Sequence, residues 1–240
     1  RKASTFARAA RDGWALKGDI TAYFASIPHD RLLALLRRRV VDPVLCAWIE
    51  RIVRAYPVGP GHGLPIGALT SQHLANLYLG ALDHFVKDDL GVRYYLRYMD
   101  DFLACGDRQA MLVLKARVED FLSQQLGLKL NPTSSRVLMV RDGIPLLGMR
   151  VYPAAIRPRQ KRWRRFTAKQ RAITEALQAG TLSEEEAAQR LTSQYAHLAK
   201  YSTHRLRCNH LARLAEASNR PGADQRRLQP GGTRRVLGQR

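Results

Sequence analysis

Three aspartates carry the strongest chemical signal in this sequence: Asp19, near the end of the apolar run "WALKGDI", and the neighbours Asp100 and Asp101 inside "YLRYMDDFLA". Apolar and aromatic residues flank these carboxylates on both sides, where a buried strand normally tolerates no charge. Alternating Tyr95, Arg97 and Met99, then Phe102 and Ala104, favour extended chain, so the adjacent acids are expected as a two-residue turn at a hairpin tip. A solvated Asp-Asp turn is the ordinary reading of such a stretch. The second carboxylate-ended strand, at Asp19, offers another, because neighbouring strands of one sheet would bring the acids together. Clustered acids repel one another unless a cation neutralises them. Magnesium takes one or two protein carboxylates and completes its shell with water and phosphate oxygens. Two such ions polarise an attacking hydroxyl and stabilise a departing pyrophosphate, which is the chemistry of nucleotidyl transfer.

The elements that must position these acids can be read around them. Residues 14–20 form a buried strand that delivers Asp19 to its carboxyl end. A helix follows through "SIPHDRLLALLRRRV", with Ser26 as its expected N-cap and Pro28 in its first turn. A second helix starts at Asp42 and Pro43, and "YPVGPGHGLPIG" is loop because Gly and Pro interrupt it throughout. Residues 69–90 carry a helical stripe of Leu74, Leu77, Tyr78, Ala81, Leu82 and Phe85. Residues 107–126 form another amphipathic helix. "RVLMV", an Asp142-Gly143 turn and "IPLLGMRV" read as a second hairpin. Beyond Tyr152 the composition changes: residues 157–171 hold eight Lys or Arg and no acid, interleaved with Trp163 and Phe166. Ser183 and Glu186 make a capping box for the next helix, and residues 203–217 form one more. The chain therefore divides into an α/β part, residues 1–152, a basic helical part, 153–218, and a tail, 219–240, whose Gly, Pro, Gln and Arg predict disorder.

The 240 residues, 45% of them apolar, suffice for a sizeable core. Forty Lys and Arg against 20 Asp and Glu give a net charge of +20, the footprint of a protein that meets a polyanion, nucleic acid first. No apolar run reaches the 18 or so residues of a spanning helix and no signal region is visible, so a soluble, cytoplasmic protein with no membrane partner is expected. Cys46, Cys105 and Cys208 are odd in number and lack a CxxC spacing, which argues against a disulfide framework or zinc knuckle and for structural thiols. The chain begins with Arg1 rather than Met, which leaves both a fragment and a whole protein open.

Four stretches in order, "LKGDITAYFASIPHDRL" (16–32), "GLPIGALTSQHLANLYLGALDHF" (63–85), "YMDD" (98–101) and "GIPLLGMRV" (143–151), resemble consecutive motifs of reverse transcriptases. The likeness is to the bacterial types, among them group II intron, retron and diversity-generating retroelement enzymes. It implies a right-hand polymerase fold: an α/β palm with partial fingers, followed by an α-helical thumb. It also implies RNA-directed DNA synthesis with two Mg2+ ions, an RNA template, a DNA primer and dNTPs. By the resemblance, Asp19, Asp100 and Asp101 are the catalytic acids. Asp19, Asp100 and the Ile20 carbonyl are metal ligands, with Asp101 a weaker ligand or electrostatic support. Phe24 matches the aromatic gate against a ribose 2′-hydroxyl, or is simply core, while Tyr23 packs inward. Ile66, Gly67 and Gln72 match the segment that supports the templating base and incoming nucleotide. Leu147 and Gly148 match the primer grip. Arg157, Arg159, Lys161, Arg162, Arg164 and Arg165 match thumb contacts to phosphates. Trp163 either stacks on a base or packs in the thumb core.

Two departures stand out. Ile66 occupies a position where most reverse transcriptases carry Gln, a feature that resembles the diversity-generating retroelement enzymes and implies error-prone copying at adenines. Loss of a hydrogen-bonding amide near the new base pair lowers selectivity; alternatively, Ile66 merely packs under its loop. Ser134, in "LNPTSSR", stands near a position where the family often has a Lys for the pyrophosphate, leaving Lys129 or Arg136 as substitutes. The fingers segment is nearly absent, with Lys2, Arg8 and Arg11 as its remnant. A retroelement enzyme would also bind an accessory variability determinant protein. The competing readings are a group II intron or retron enzyme, or an inactive reverse-transcriptase-like RNA-binding module.

Overall fold

The computed structural model describes residues 2–55, 58–199 and 201–218. Helix α1 (Lys2–Ala9) leads into strand β1 (Trp14–Gly18). Four helices follow: α2 (Tyr23–Ser26), α3 (His29–Arg37), α4 (Pro43–Ala55) and α5 (Leu69–His84), the last prolonged by a π turn, Phe85–Asp89. The chain then forms β2 (Tyr94–Tyr98), β3 (Asp101–Gly106), α6 (Arg108–Phe121) with a π turn at Leu122–Leu126, and β4 (Arg136–Met139). These strands make one antiparallel sheet in the order β2-β3-β1-β4, the arrangement of a split βαβ motif. A second, three-stranded sheet comprises β5 (Ile144–Leu146), β6 (Met149–Val151) and β7 (Ile156–Pro158). The helices α7 (Gln160–Gln178), α8 (Glu184–Ala199) and α9 (His204–Ser218) complete the fold.

Local chemistry explains several boundaries. Asp107 caps α6 by accepting from Ala110 N at 2.8 Å, and Asp42 does the same for α4 from Val44 N at 2.8 Å. Ser183 Oγ accepts from Glu186 N at 3.2 Å, with Glu186 reaching back to Ser183 N, which is the expected capping box of α8. Gly127, at φ 63°, ends the helical run after α6.

Strand alternation gives the main sheet two unlike faces. Leu16, Phe102 and Ala104 point to the side covered by α3, α5 and α6, where they pack with Leu33, Tyr78, Leu82, Leu114 and Val118. Ala15, Leu103 and Cys105 point to the other side, covered by Ala7 of α1 and by Ile144, Leu146 and Val151 of the second sheet. That cover lies over the apolar end of the face. Lys17 pairs with Leu103 and Arg136 and so belongs to this face, but its end of the sheet opens into a cleft. The last three helices form a separate apolar cluster of Ile173, Leu182 and Ala187, beside which Trp163 stacks on Phe166 with ring centroids 5.1 Å apart. Half-buried Trp163 also meets His210 edge-on, with ring centroids 5.7 Å apart.

Three expectations are corrected. The β2–β3 turn consists of Met99 and Asp100, because Asp101 already pairs with Tyr98 as the first residue of β3. Ser26 does not cap α3; that position belongs to Pro28, and Ser26 Oγ instead donates back to the Thr21 and Ala22 carbonyls. Asp142-Gly143 is no hairpin turn: Val140–Asp142 is a 3-10 turn that carries the chain from one sheet to the next, since β4 pairs with β1 and not with β5. The hairpin turn is Leu147-Gly148, between the paired Leu146 and Met149. Its φ values of 48° and 75° are both positive, as a type I′ turn requires. Of the thiols, Cys105 is buried, Cys46 partly so, and Cys208 is exposed; burial pushes the Cys105 thiol up to about 12. The expected disordered tail lies outside the described residues.

Gly18 sits opposite Phe102 in the β1–β3 ladder, and a Cβ there would collide with the Phe102 ring. Gly18→Ala therefore forces a fully buried aromatic out of place. The expected cost, read from urea unfolding, is about 1–3 kcal/mol; an unchanged unfolding midpoint would contradict this packing.

Candidate active site

The antiparallel register sets the carboxyl end of β1 beside the amino end of β3. Gly18 pairs with Phe102, so Asp19 and Asp101 follow on the neighbouring chain ends, with Asp100 at the turn. The backbone of Asp19 is pinned from the far side of the sheet. Ser135 Oγ accepts from Asp19 N at 3.0 Å and donates to Asp19 O at 3.1 Å, and Asn131 N donates to the same carbonyl at 2.8 Å. Ser135 is buried, and this clamp on Asp19 is one function the sequence reading missed.

A second missed residue is Lys17. Its ammonium lies 2.6 Å from Asp101 Oδ1 and 3.8 Å from Asp19 Oδ1, with only 8% of the residue exposed. Position alternation places Lys17, Asp19 and Asp101 on one face, which a sequence pattern alone can supply. Among the described residues Asp100 has no such ion pair. Burial, and then the charges of Asp19 and Asp101, hold its carboxyl above the usual range, against the opposing effects of a backbone hydrogen bond and of Lys17. Among the described residues no three His, Cys, Asp or Glu side chains converge closely enough to form a metal cluster. Magnesium does not need one: one or two carboxylates with water and phosphate suffice. The electrostatic strain of three oxygen-only acids with one ammonium among them fits a hard divalent cation.

The open end of the sheet forms a cleft of about 530 Å³ lined by Lys17, Asp101, Ser134, Arg136, Leu147 and Arg159, among others. Arg136 thus shares the cleft with Asp101, whereas Lys129 is exposed outside the cleft lining. Leu147 and Gly148 form the opposite lip, tied to the basic helix by Arg162 Nη1 donating to Leu147 O at 3.3 Å and Arg159 N donating to Gly148 O at 3.2 Å. Arg157 stacks over Tyr152 at 5.6 Å; Lys161, Arg164 and Arg165 are exposed and do not line the cleft. Phe24 is half-buried at the core edge, 5.7 Å edge-on to Tyr23. Tyr23 is buried and donates to the Ala75 carbonyl, as its inward expectation requires. Gly67 has φ 100° with open space at its α-carbon, Gln72 is exposed on α5, and Ile66 is 86% exposed, which overturns the reading that it packs under its loop.

Comparison with known proteins adds a decisive observation. A protein-family model described as "Reverse transcriptase (RNA-dependent DNA polymerase)" matches residues 2–151, more than half of the chain.

The chain belongs to the reverse transcriptase family.

It is similar to the "Uncharacterized 91 kDa protein in cob intron" of Schizosaccharomyces pombe, 37% identical over 81 residues, which covers 31% of this chain and 10% of that protein. It is similar to Protein YkfC of Escherichia coli, 23% identical over 180 residues, or 59% of this chain and 47% of that protein. The chain thus spans less than half the length of these relatives. An apo telomerase from Candida tropicalis truncated from its C-terminal domain shares the fold, with a TM-score of 0.50 at 10% identity over 61% of this chain and 35% of that one. The four-stranded sheet is accordingly the palm of this reverse transcriptase fold.

Backbone strain points to the same place. Among the described residues, the left-handed positions not occupied by Gly are Ala22, Met99 and Leu147, with φ of 44°, 56° and 48°. Ala22 follows Asp19 by three residues, Met99 precedes Asp100, and Leu147 tips the facing hairpin. Such strain persists only where surrounding structure imposes it, and it gathers at functional sites.

The raised Asp100 pKa has a thermodynamic consequence. Because the folded state holds this proton more tightly than the unfolded one, its contribution favours folding below the unfolded pKa and is lost as pH rises through the folded value. Asp100→Asn is therefore expected to make the metal-free protein more stable than the parent near about pH 7, with the gap closing towards about pH 4. Thermal unfolding of both proteins across that range measures it; a parent at least as stable at neutral pH would contradict it.

Proposed function

We propose that this chain is the core of an RNA-directed DNA polymerase, with residues 1–152 its palm and partial fingers and 153–218 its basic thumb. The observation that supports the reading is the β1–β3 register, by which Asp19 follows Gly18 beside Asp101, with Asp100 in the adjoining turn, at the sheet end whose cleft Asp101 and Lys17 line in a strongly basic protein. In this reading Asp19, Asp100 and the Ile20 carbonyl hold two Mg2+ ions. Asp101, already paired with Lys17, acts as electrostatic support. The bound ions supply a polarised primer hydroxyl and charge neutralisation on the departing pyrophosphate.

The chain's own residues do the positioning. Ser135 and Asn131 fix the backbone of Asp19, so the point from which its carboxylate projects does not depend on the ligand. Leu147 and Gly148 present the turn against which the primer end rests, and Arg136 and Arg159 line the groove with charge for its phosphates. Exposed Lys161, Arg164 and Arg165, with Arg157 and Arg162, extend that charge along the thumb towards the duplex. Phe24, at the edge of the core near Asp19, gates the ribose 2′ position.

The finer assignment is an error-prone retroelement polymerase acting with an accessory variability determinant protein. Ile66 supports it: its exposed, apolar side chain stands at the nucleotide-facing loop and offers the new base pair no hydrogen bond. The similarity to a protein in the cob intron supports an intron-encoded enzyme as the second reading.

Primer extension on an RNA template with Mg2+ and dNTPs tests both levels. The parent is expected to extend, Asp100→Ala to lose about 10²- to 10³-fold, and product errors to concentrate opposite template adenines unless Ile66→Gln suppresses them. Absent extension with salt-sensitive RNA binding intact would overturn the polymerase reading in favour of an RNA-binding module. An error spectrum unchanged by Ile66→Gln would remove the support for the retroelement assignment.

A further inference from the structure

Arg97 is a largely buried charge within an edge strand, and each of its donors is committed. On β2 it lies opposite Phe102, so its side chain runs beneath the sheet towards α5. Nε and Nη2 donate to the two carboxylate oxygens of Asp83 at 2.8 and 2.6 Å. Nη1 donates to Asn76 Oδ1 at 3.1 Å and to the Met99 carbonyl at 2.9 Å, and Nη2 reaches the Asn76 carbonyl at 3.5 Å. A guanidinium has five N–H groups in a rigid fork, and here each has an acceptor. Asp83 is held in turn by the Tyr95 hydroxyl, which donates to Oδ1 at 2.8 Å. Asn76 and Asp83 lie about two turns apart on α5 and so share a face.

The acceptor that matters is Met99, the left-handed residue immediately before Asp100. A residue with a Cβ leaves that conformation unless something holds it. Its own strand offers little, because among the described residues β2 is an edge strand whose one partner is β3.

We propose that Arg97 is a positioning residue: its fork straps the Met99 carbonyl to Asp83 and Asn76 of α5, and thereby fixes the direction in which Asp100 presents its carboxylate. This deepens the proposed function and rests on the reading of Asp100 as a metal-holding acid. The competing role is a plain staple between β2 and α5. Arg97→Lys separates the two, because Lys keeps the charge pair with Asp83 but has no planar fork to reach Met99 at the same time.

The experiment compares parent and Arg97→Lys in the full chain by three readouts: Mn2+ affinity by electron paramagnetic resonance titration, kcat and dNTP KM in primer extension, and thermal unfolding. Mn2+ serves as the paramagnetic substitute for Mg2+. The strap predicts folded Arg97→Lys with Mn2+ bound about tenfold more weakly and kcat lowered about 10- to 100-fold, while dNTP KM stays within about threefold. Unchanged Mn2+ affinity in the folded variant overturns it, as does a kcat deficit that vanishes at lower temperature. A parent that extends no primer yet binds Mn2+ more tightly than Arg97→Lys would refute the proposed function and leave the strap standing. Should Arg97→Lys fail to fold, Asp83→Asn, which keeps the shape but weakens the anchor, carries the same Mn2+ readout with the same opposing outcomes.

Discussion

The structure turns on one pairing, Gly18 against Phe102 in the β1–β3 ladder. It does two things at once. A fully buried ring fills the space that a missing Cβ leaves, which seals the helix-covered face of the sheet. The next residues along each strand are then Asp19 and Asp101, so the packing that closes the core also sets three acids at one sheet end. A one-residue slip would send both carboxylates to the other face, into the cluster around Tyr78 and Leu82. Register is thus fixed by the core and inherited by the site.

Charge is the second constraint. A protein of net charge +20 gains from acidic groups almost anywhere, yet these three stand where they repel one another. Lys17 relieves part of that repulsion from beneath, and in doing so engages Asp101 while Asp19 and Asp100 remain the freer pair. The asymmetry follows from strand alternation. Strained backbone at Ala22, Met99 and Leu147 shows the same economy: the tightest geometry is concentrated where the cleft is built.

Much of this was legible in the sequence because carboxylates in apolar strands are rare and the helical stripes are long. The α5 stripe and the Ser183–Glu186 capping box of α8 needed no tertiary information. What escaped was set by pairing. The turn fell on Met99 and Asp100 because Asp101 bonds across to Tyr98, which propensity cannot register. The Asp142-Gly143 signal was locally valid, but β4 found its partner in β1, so a 3-10 turn replaced the hairpin. The actual type I′ turn places Leu147 in a conformation that favours Gly or Asn, so no turn signal marked it. Lys17 and Arg97 were visible as charges inside strands and could have been read as partners for the acids. Ser135 could not, since its clamp on Asp19 spans 116 residues.

In the proposed function Asp19 and Asp100 bind divalent cations jointly, because the β1–β3 register and the turn after Tyr98 bring both acids to one sheet end. A double-mutant cycle in Mn2+ affinity, using Asp19→Asn, Asp100→Asn and the double variant in the metal-free protein, tests this most directly. One shared site predicts that either substitution removes most of the affinity and that the second adds little, a coupling of about 1–3 kcal/mol. Additive losses, or a loss confined to one of the two, would mean that the carboxylates act separately and that the register does not make the site.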